Sequence, residues 1–221
     1  MLAMTFLAIL LVAIAMTTIQ ISNIYTKGIT LREVNQAGRA ISDELQRNIN
    51  SATPFDVTPK VDASPATSTS KYVVRNEGGR LCLGQYSYIW NYGKAIADGT
   101  VYNKYSDDGS AVHFAKVTDP GGSLCDNTVL TIPRDKSSDL LSSGDRDLVL
   151  HSFSVKQTAS DGAIGQAIYA ISMTIGTNQR EQLVTNDTSC KPPSEGIGDQ
   201  DYCSVNQFDI IARAGNKAGG Q

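Results

Sequence analysis

The first charged residue of this chain is Lys27, and no proline occurs before Pro54. The twenty-six residues MLAMTFLAILLVAIAMTTIQISNIYT therefore form one uncharged run. At about 1.5 Å per residue, a helix of that length spans the roughly 30 Å of a bilayer core. Met1 to Met16 is apolar on every face apart from Thr5, and such a helix must be buried in lipid or among other helices. Thr17, Thr18, Gln20, Ser22 and Asn23 mark the exit from the apolar zone. Three fates fit the run. It is a cleaved secretory signal, for which Ala13-Ile14-Ala15 offers a small-residue cleavage site but no basic segment precedes. It is a plain membrane anchor. Or it is a helix that sits in a membrane first and later packs against copies of itself.

The next stretch separates the last two. Leu31, Val34, Gly38, Ile41 and Leu45 are spaced by three and four, and Ile49 and Ala52 extend the stripe. Arg32, Glu33, Arg39, Asp43, Glu44 and Arg47 lie between them. This pattern predicts a narrow apolar seam on a helix, with Leu31, Val34, Gly38, Ile41, Leu45 and Ile49 set against a sheet. Gly28 and Gly38 each cost such a helix about 1 kcal/mol relative to alanine. A simple anchor is usually joined to its domain by a flexible linker. Here the Ser/Thr/Pro-rich segment 53–70 comes only after the amphipathic half.

The remaining roughly 150 residues suit one domain. The net charge of -3 leaves no global nucleic-acid footprint. Four cysteines beside a membrane-directed start point to an oxidising exterior. Of the three possible pairings, the one joining nearest neighbours in sequence links Cys82 to Cys125 and Cys190 to Cys203. Segments 71–76, 81–90, 111–117, 128–132, 147–157, 166–176 and 205–213 have strand character, with turns at 77–79 and 119–122. The segments 147–157 and 166–176 alternate most clearly and are expected to form an antiparallel hairpin at the centre of a sheet. Within 81–90, Cys82, Tyr86, Tyr88 and Trp90 share one side. They form either a cross-strand aromatic ladder or, with nearby basic residues, a stacking platform for a ligand. Asp107-Asp108-Gly109 lacks the ligand spacing of a calcium loop and reads as a turn. Asn186-Asp187-Thr188 matches a glycosylation sequon. His113 and His151 stand alone in strand patterns, and no catalytic, phosphate-loop or metal motif is present. No enzyme activity and no cofactor or metal is expected.

The run TFLAILLVAIAM, handed over without a break to REVNQAGRAISDELQRNINSA, resembles the N-terminal helix of type IV pilins and pseudopilins. The resemblance covers about the first fifty residues. It implies an α+β fold: an apolar helix over 1–26, its amphipathic continuation over 27–52, and a linker over 53–70. An antiparallel β domain follows over 71–213 with a C-terminal disulfide loop at 190–203, and a flexible tail occupies 214–221. It implies a filament subunit whose Leu2, Phe6, Leu7, Ile9, Leu10, Leu11, Val12 and Ile14 pack in the fibre core. Its partners are copies of itself, related pilins and an inner-membrane assembly machinery. The cytoplasmic membrane is its site before assembly and an extracellular pilus at the cell surface its site afterwards, serving adhesion, motility or DNA uptake. A surface or DNA ligand is left unspecified. The same helix fits a pseudopilin of a secretion or competence machine, and a membrane-anchored extracellular binding domain is the reading from a different class. The family's basic leader and early glutamate are not among these residues, since no Asp or Glu precedes Glu33. The expectation is that the chain starts inside the mature protein or is an atypical member.

Overall fold

A computed structural model describes residues 2–61, 69–93, 96, 103–105, 112–126, 130–132, 134–141, 146–184, 189–192 and 202–215. One α-helix, α1, runs from Leu2 to Ser51. Its end follows from the proline three residues on, because the residue before a proline is pushed out of helical space. Among the described residues ten strands follow: β1 (Tyr72–Arg75), β2 (Gly78–Cys82), β3 (Tyr86–Asn91), β4 (Asn103–Tyr105), β5 (Phe114–Thr118), β6 (Leu130–Ile132), β7 (Ser137–Asp139), β8 (Leu148–Asp161), β9 (Gln166–Thr177) and β10 (Val205–Ala214). The protein is α+β, with one long N-terminal apolar helix and antiparallel sheets.

The strands form two antiparallel sheets, in the order β1-β2-β3-β5-β7 and β10-β9-β8. β4 and β6 pair in parallel, apart from both. The expected hairpin is present as β8 and β9, but it is longer than its alternation suggested, and β9 rather than the pair is central. The turn is correspondingly confined to 162–165. The register of β8 shifts between Leu150 and Ser152. Leu148, Val149, Leu150 and His151 are consequently all buried, where strict alternation would place them on two faces.

Segment 81–90 is not one strand. Gly84 adopts φ +91° between β2 and β3, a conformation that favours glycine, and the chain reverses there. The turn expected at 77–79 contracts to Asn76–Glu77, and Gly78 and Gly79 lie within β2. A Cβ on Gly79 would come within 2.4 Å of the Trp90 ring, so this glycine makes room for the largest core side chain. The linker is tied down where it is described. Phe55 stacks on Tyr169 with ring centroids 4.4 Å apart, Val57 is buried, and Lys60 bridges to Val73 beside β1. Ala214, expected to open a frayed tail, is the buried last residue of β10. Residues 216–221 of that tail, the 107–109 turn and the sequon at 186–188 lie outside the described residues.

The main core is a three-way junction. Val34, Ala37, Ile41, Leu45 and Ile49 of α1 meet Tyr169, Ile171, Met173 and Ile210 of the three-stranded sheet and Tyr88, Trp90 and Phe114 of the five-stranded one. Trp90 and Phe153 join the two sheets, with centroids 4.3 Å apart. Disulfides connect Cys82 to Cys125 and Cys190 to Cys203, as the nearest-neighbour pairing anticipates.

The two helical glycines differ in kind. A Cβ on Gly28 would meet nothing within 4 Å, whereas one on Gly38 would lie 2.0 Å from the tip of the Phe208 ring. Gly28→Ala is expected to raise helix stability by about 1 kcal/mol. Gly38→Val is expected to lower stability by about 1–3 kcal/mol through overpacking. Denaturant titration of the full chain in detergent, followed by circular dichroism, checks both signs.

Candidate functional site

Every described side chain from Ala3 to Tyr25 is exposed. Phe6, Ile9 and Leu11 are 67%, 70% and 63% exposed, and Leu7, Leu10, Val12 and Ile14 also face outward. Leu2 lies in the helix with them. The hydroxyls of Thr17 and Thr18 both donate to the Ile14 carbonyl at 2.8 Å. Such back-bonding satisfies them without water. The segment is long and apolar enough to serve as a membrane anchor or a signal sequence. A continuous exposed apolar surface of this size marks an interaction with lipid or protein.

What holds this surface in place is the second half of the same helix. Thr30, Val34, Ala37, Gly38, Ile41, Leu45 and Ile49 are buried. Leu31, expected in the seam, is 48% exposed. The drift of a 3.6-residue period takes Leu31 off the contact line, and Thr30 takes its place, donating its hydroxyl to the Thr26 carbonyl at 3.1 Å. α1 runs alongside β10 in the same direction. The Asn206 side-chain amide donates to Asn35 Oδ1 at 2.7 Å, and the Gln46 amide donates to the Ile211 carbonyl at 2.9 Å. Further along, the Arg213 N–H donates to Asn50 Oδ1 at 3.2 Å, and the Gly215 N–H reaches the Ala52 carbonyl at 2.9 Å. The Gln46 and Asn50 side chains occupy backbone groups of Ile211 and Arg213 along the outer edge of β10, which would otherwise be open to pairing with another strand.

A second contact fixes the five-stranded sheet to the opposite flank of α1. Lys116 of β5 donates to Glu44 and lies 3.9 Å over the Tyr86 ring. Asn48 donates to Glu44 Oε1 at 2.8 Å and also to the Tyr88 hydroxyl. Burial works against ionisation of Glu44. The hydrogen bonds from Lys116 and Asn48 and the charges of Lys116 and Arg47 outweigh it and hold the carboxyl below its ordinary value. This cluster carries no apolar periodicity and links residues 72 apart, so the sequence pattern did not single it out.

The aromatic side considered as either a cross-strand ladder or a ligand platform is divided. Tyr88 and Trp90 are fully buried and Tyr86 is engaged by Lys116, so the cross-strand ladder reading holds and these rings are not open to a ligand. His113 is buried, with Nε2 3.1 Å from Asp147 Oδ1. Asp139 close by is pushed above the ordinary carboxylate value by burial, although the backbone N–H groups of Leu141 and Phe114 oppose the shift. Among the described residues no group of three or more His, Cys, Asp or Glu is placed to hold a metal. Cavities of about 260, 290 and 310 Å³ lie under the β8–β9 turn, beside Arg146 and Tyr202, and between the end of α1 and the β2–β3 turn.

No known family model, curated protein or solved structure matches this chain.

Because the folded-state value of Glu44 lies below the ordinary 4.5, its contribution to stability is full above that pH and is lost as the pH falls through the folded-state value. Lys116→Met is expected to lower stability at pH 7 and to flatten the decline on acidification. Urea midpoints measured between about pH 3 and 7 check this, and an unchanged acid slope in the variant would contradict it.

Proposed function

We propose that this protein is a structural subunit of a type IV pilus-like filament. It is held in the membrane by the first half of α1 and polymerises when that half leaves lipid to pack against the same segment of other copies. The observation that carries the reading is the unbroken passage of α1 from a fully exposed apolar half into a half clamped on two sheets. A cleavable signal needs no such continuity, and a plain anchor needs no rigid connection to its domain. A bundle of helices gives both a purpose: each domain must be held at a fixed angle and height around a common core. The apolar half has no cation or anion before Lys27, so it can lie in hydrocarbon or in a dry helix bundle equally well. Two disulfides suit a domain displayed outside the cell.

Leu7→Lys is the test. A lysine at the centre of a membrane helix costs about 2.5–3.5 kcal/mol on insertion scales and places an unpaired charge in a helix bundle. Fibre yield in sheared surface fractions should fall to background, while the domain after residue 26 keeps its thermal midpoint. Fibres of normal yield containing the variant would overturn the reading.

A further inference from the structure

The three-stranded sheet has two unlike ends. β10 runs parallel to α1, so the end holding the start of β10, the start of β8 and the finish of β9 faces the apolar half of the helix. There, Arg146, Asp147, Thr177, Asn178, Gln179 and Tyr202 line a cleft of about 290 Å³. The Arg146 guanidinium lies 4.5 Å from the Tyr202 ring, and its Nε is buried with no acceptor among the described residues. That Nε is closed to the outside, so an acceptor entering the cleft meets the guanidinium through the part of this half-buried side chain that lines it. The neighbouring Asp147 carboxylate is already turned to other groups, accepting from the Asn178 side chain at 2.8 Å and facing His113 at 3.1 Å.

The opposite end is the β8–β9 turn. From Lys156 to Gly165 every residue is exposed, yet the strands stay paired as far as Asp161 and Gln166, so the tip is a stiff projection. Ile164 stands 60% exposed at its end. Asp161 Oδ1 accepts the Ala163 N–H at 2.9 Å and the Ile164 N–H at 3.4 Å. Those bonds orient the carboxylate through one oxygen of an exposed residue. With twelve residues in β9, the tip and the cleft lie about 40 Å apart along the sheet.

A projection carrying an oriented carboxylate at one end, and a cleft lined by a guanidinium at the other, are complementary only between different copies of the chain. We propose that the three-stranded sheet is a head-to-tail connector: the β8–β9 tip of one copy, led by Asp161, seats in the Arg146–Tyr202 cleft of the next. The inference rests on the filament reading and names a contact between its outer domains. Such a contact uses two different surfaces and does not close on itself, so it propagates as an open chain. It also supplies an acid–guanidinium hydrogen bond, one of the stronger polar contacts available at an interface.

The test uses the full chain, in which all four cysteines are paired. Two singly substituted chains, Ala163→Cys and Gln179→Cys, both at exposed positions, are co-expressed and oxidised in intact cells. A disulfide-linked dimer containing one of each is expected, and neither variant alone should give it. Adding Arg146→Glu to the Gln179→Cys chain should cut the yield by about tenfold, the factor that 1.4 kcal/mol produces. Adding Asp161→Arg to the Ala163→Cys partner as well should restore it. No mixed dimer, dimers only between two copies of the Ala163→Cys chain, or a yield indifferent to the charge reversals would overturn the proposal. Electron microscopy of the unsubstituted chain separates the two claims. Fibres without mixed dimers would sink the connector and leave the filament standing, whereas mixed dimers without fibres would do the reverse.

Discussion

The packing of Val34, Ala37, Ile41, Leu45 and Ile49 into the junction of two sheets is the contact on which the rest of this structure depends. A 50-residue helix whose first half is exposed from Ala3 to Tyr25 has no fixed direction unless its second half is immobile. The seam provides that, and side chains fix its register: Asn35, Gln46 and Asn50 on the β10 side, Glu44 and Asn48 on the β5 and β3 side. Removing any one of the large seam residues would leave a cavity, at a cost of about 2–5 kcal/mol for a leucine or isoleucine cut to alanine.

The same rigidity sets the energetics of the exposed half. Each large apolar side chain moved from water to an apolar site contributes about 1.5–3 kcal/mol, and Phe6, Ile9, Leu11 and their neighbours are all unburied. Such a surface cannot remain in water. In lipid its backbone is satisfied within the helix, and Thr17 and Thr18 are satisfied by their own carbonyl bonds. In the bundle we propose, the same residues would meet their copies. Because both environments are dry and apolar, the proposed exchange between them would need no rearrangement of the segment itself.

Much of this was legible in the residues, and the failures have physical reasons. The helix was readable because an uncharged run and a spacing of three and four share one proline-free stretch. Leu31 misled because hydrophobicity and burial are different quantities: helical drift turns it outward, while Thr30, satisfied by the Thr26 carbonyl, can be buried at little cost. The β2–β3 reversal was marked by Gly84, but the alternation of Leu81 to Trp90 runs through it unbroken, so the period concealed the turn. The division into two antiparallel sheets and a parallel pair depends on which strands meet, and a local pattern carries no such information. The Glu44–Lys116 contact joins elements 72 residues apart, and the opposition of Asp161 and Arg146 at the two ends of one sheet exists only once the strands are paired.

The measurement that bears most directly on the central claim is electron microscopy of sheared surface material, labelled with an antibody to residues 71–213. The account predicts label along the length of thin fibres, with the antibody reaching outer domains and the apolar helix hidden in the fibre core. Label confined to membranes, with no fibre carrying it, would contradict the account and return the helix to the role of an anchor.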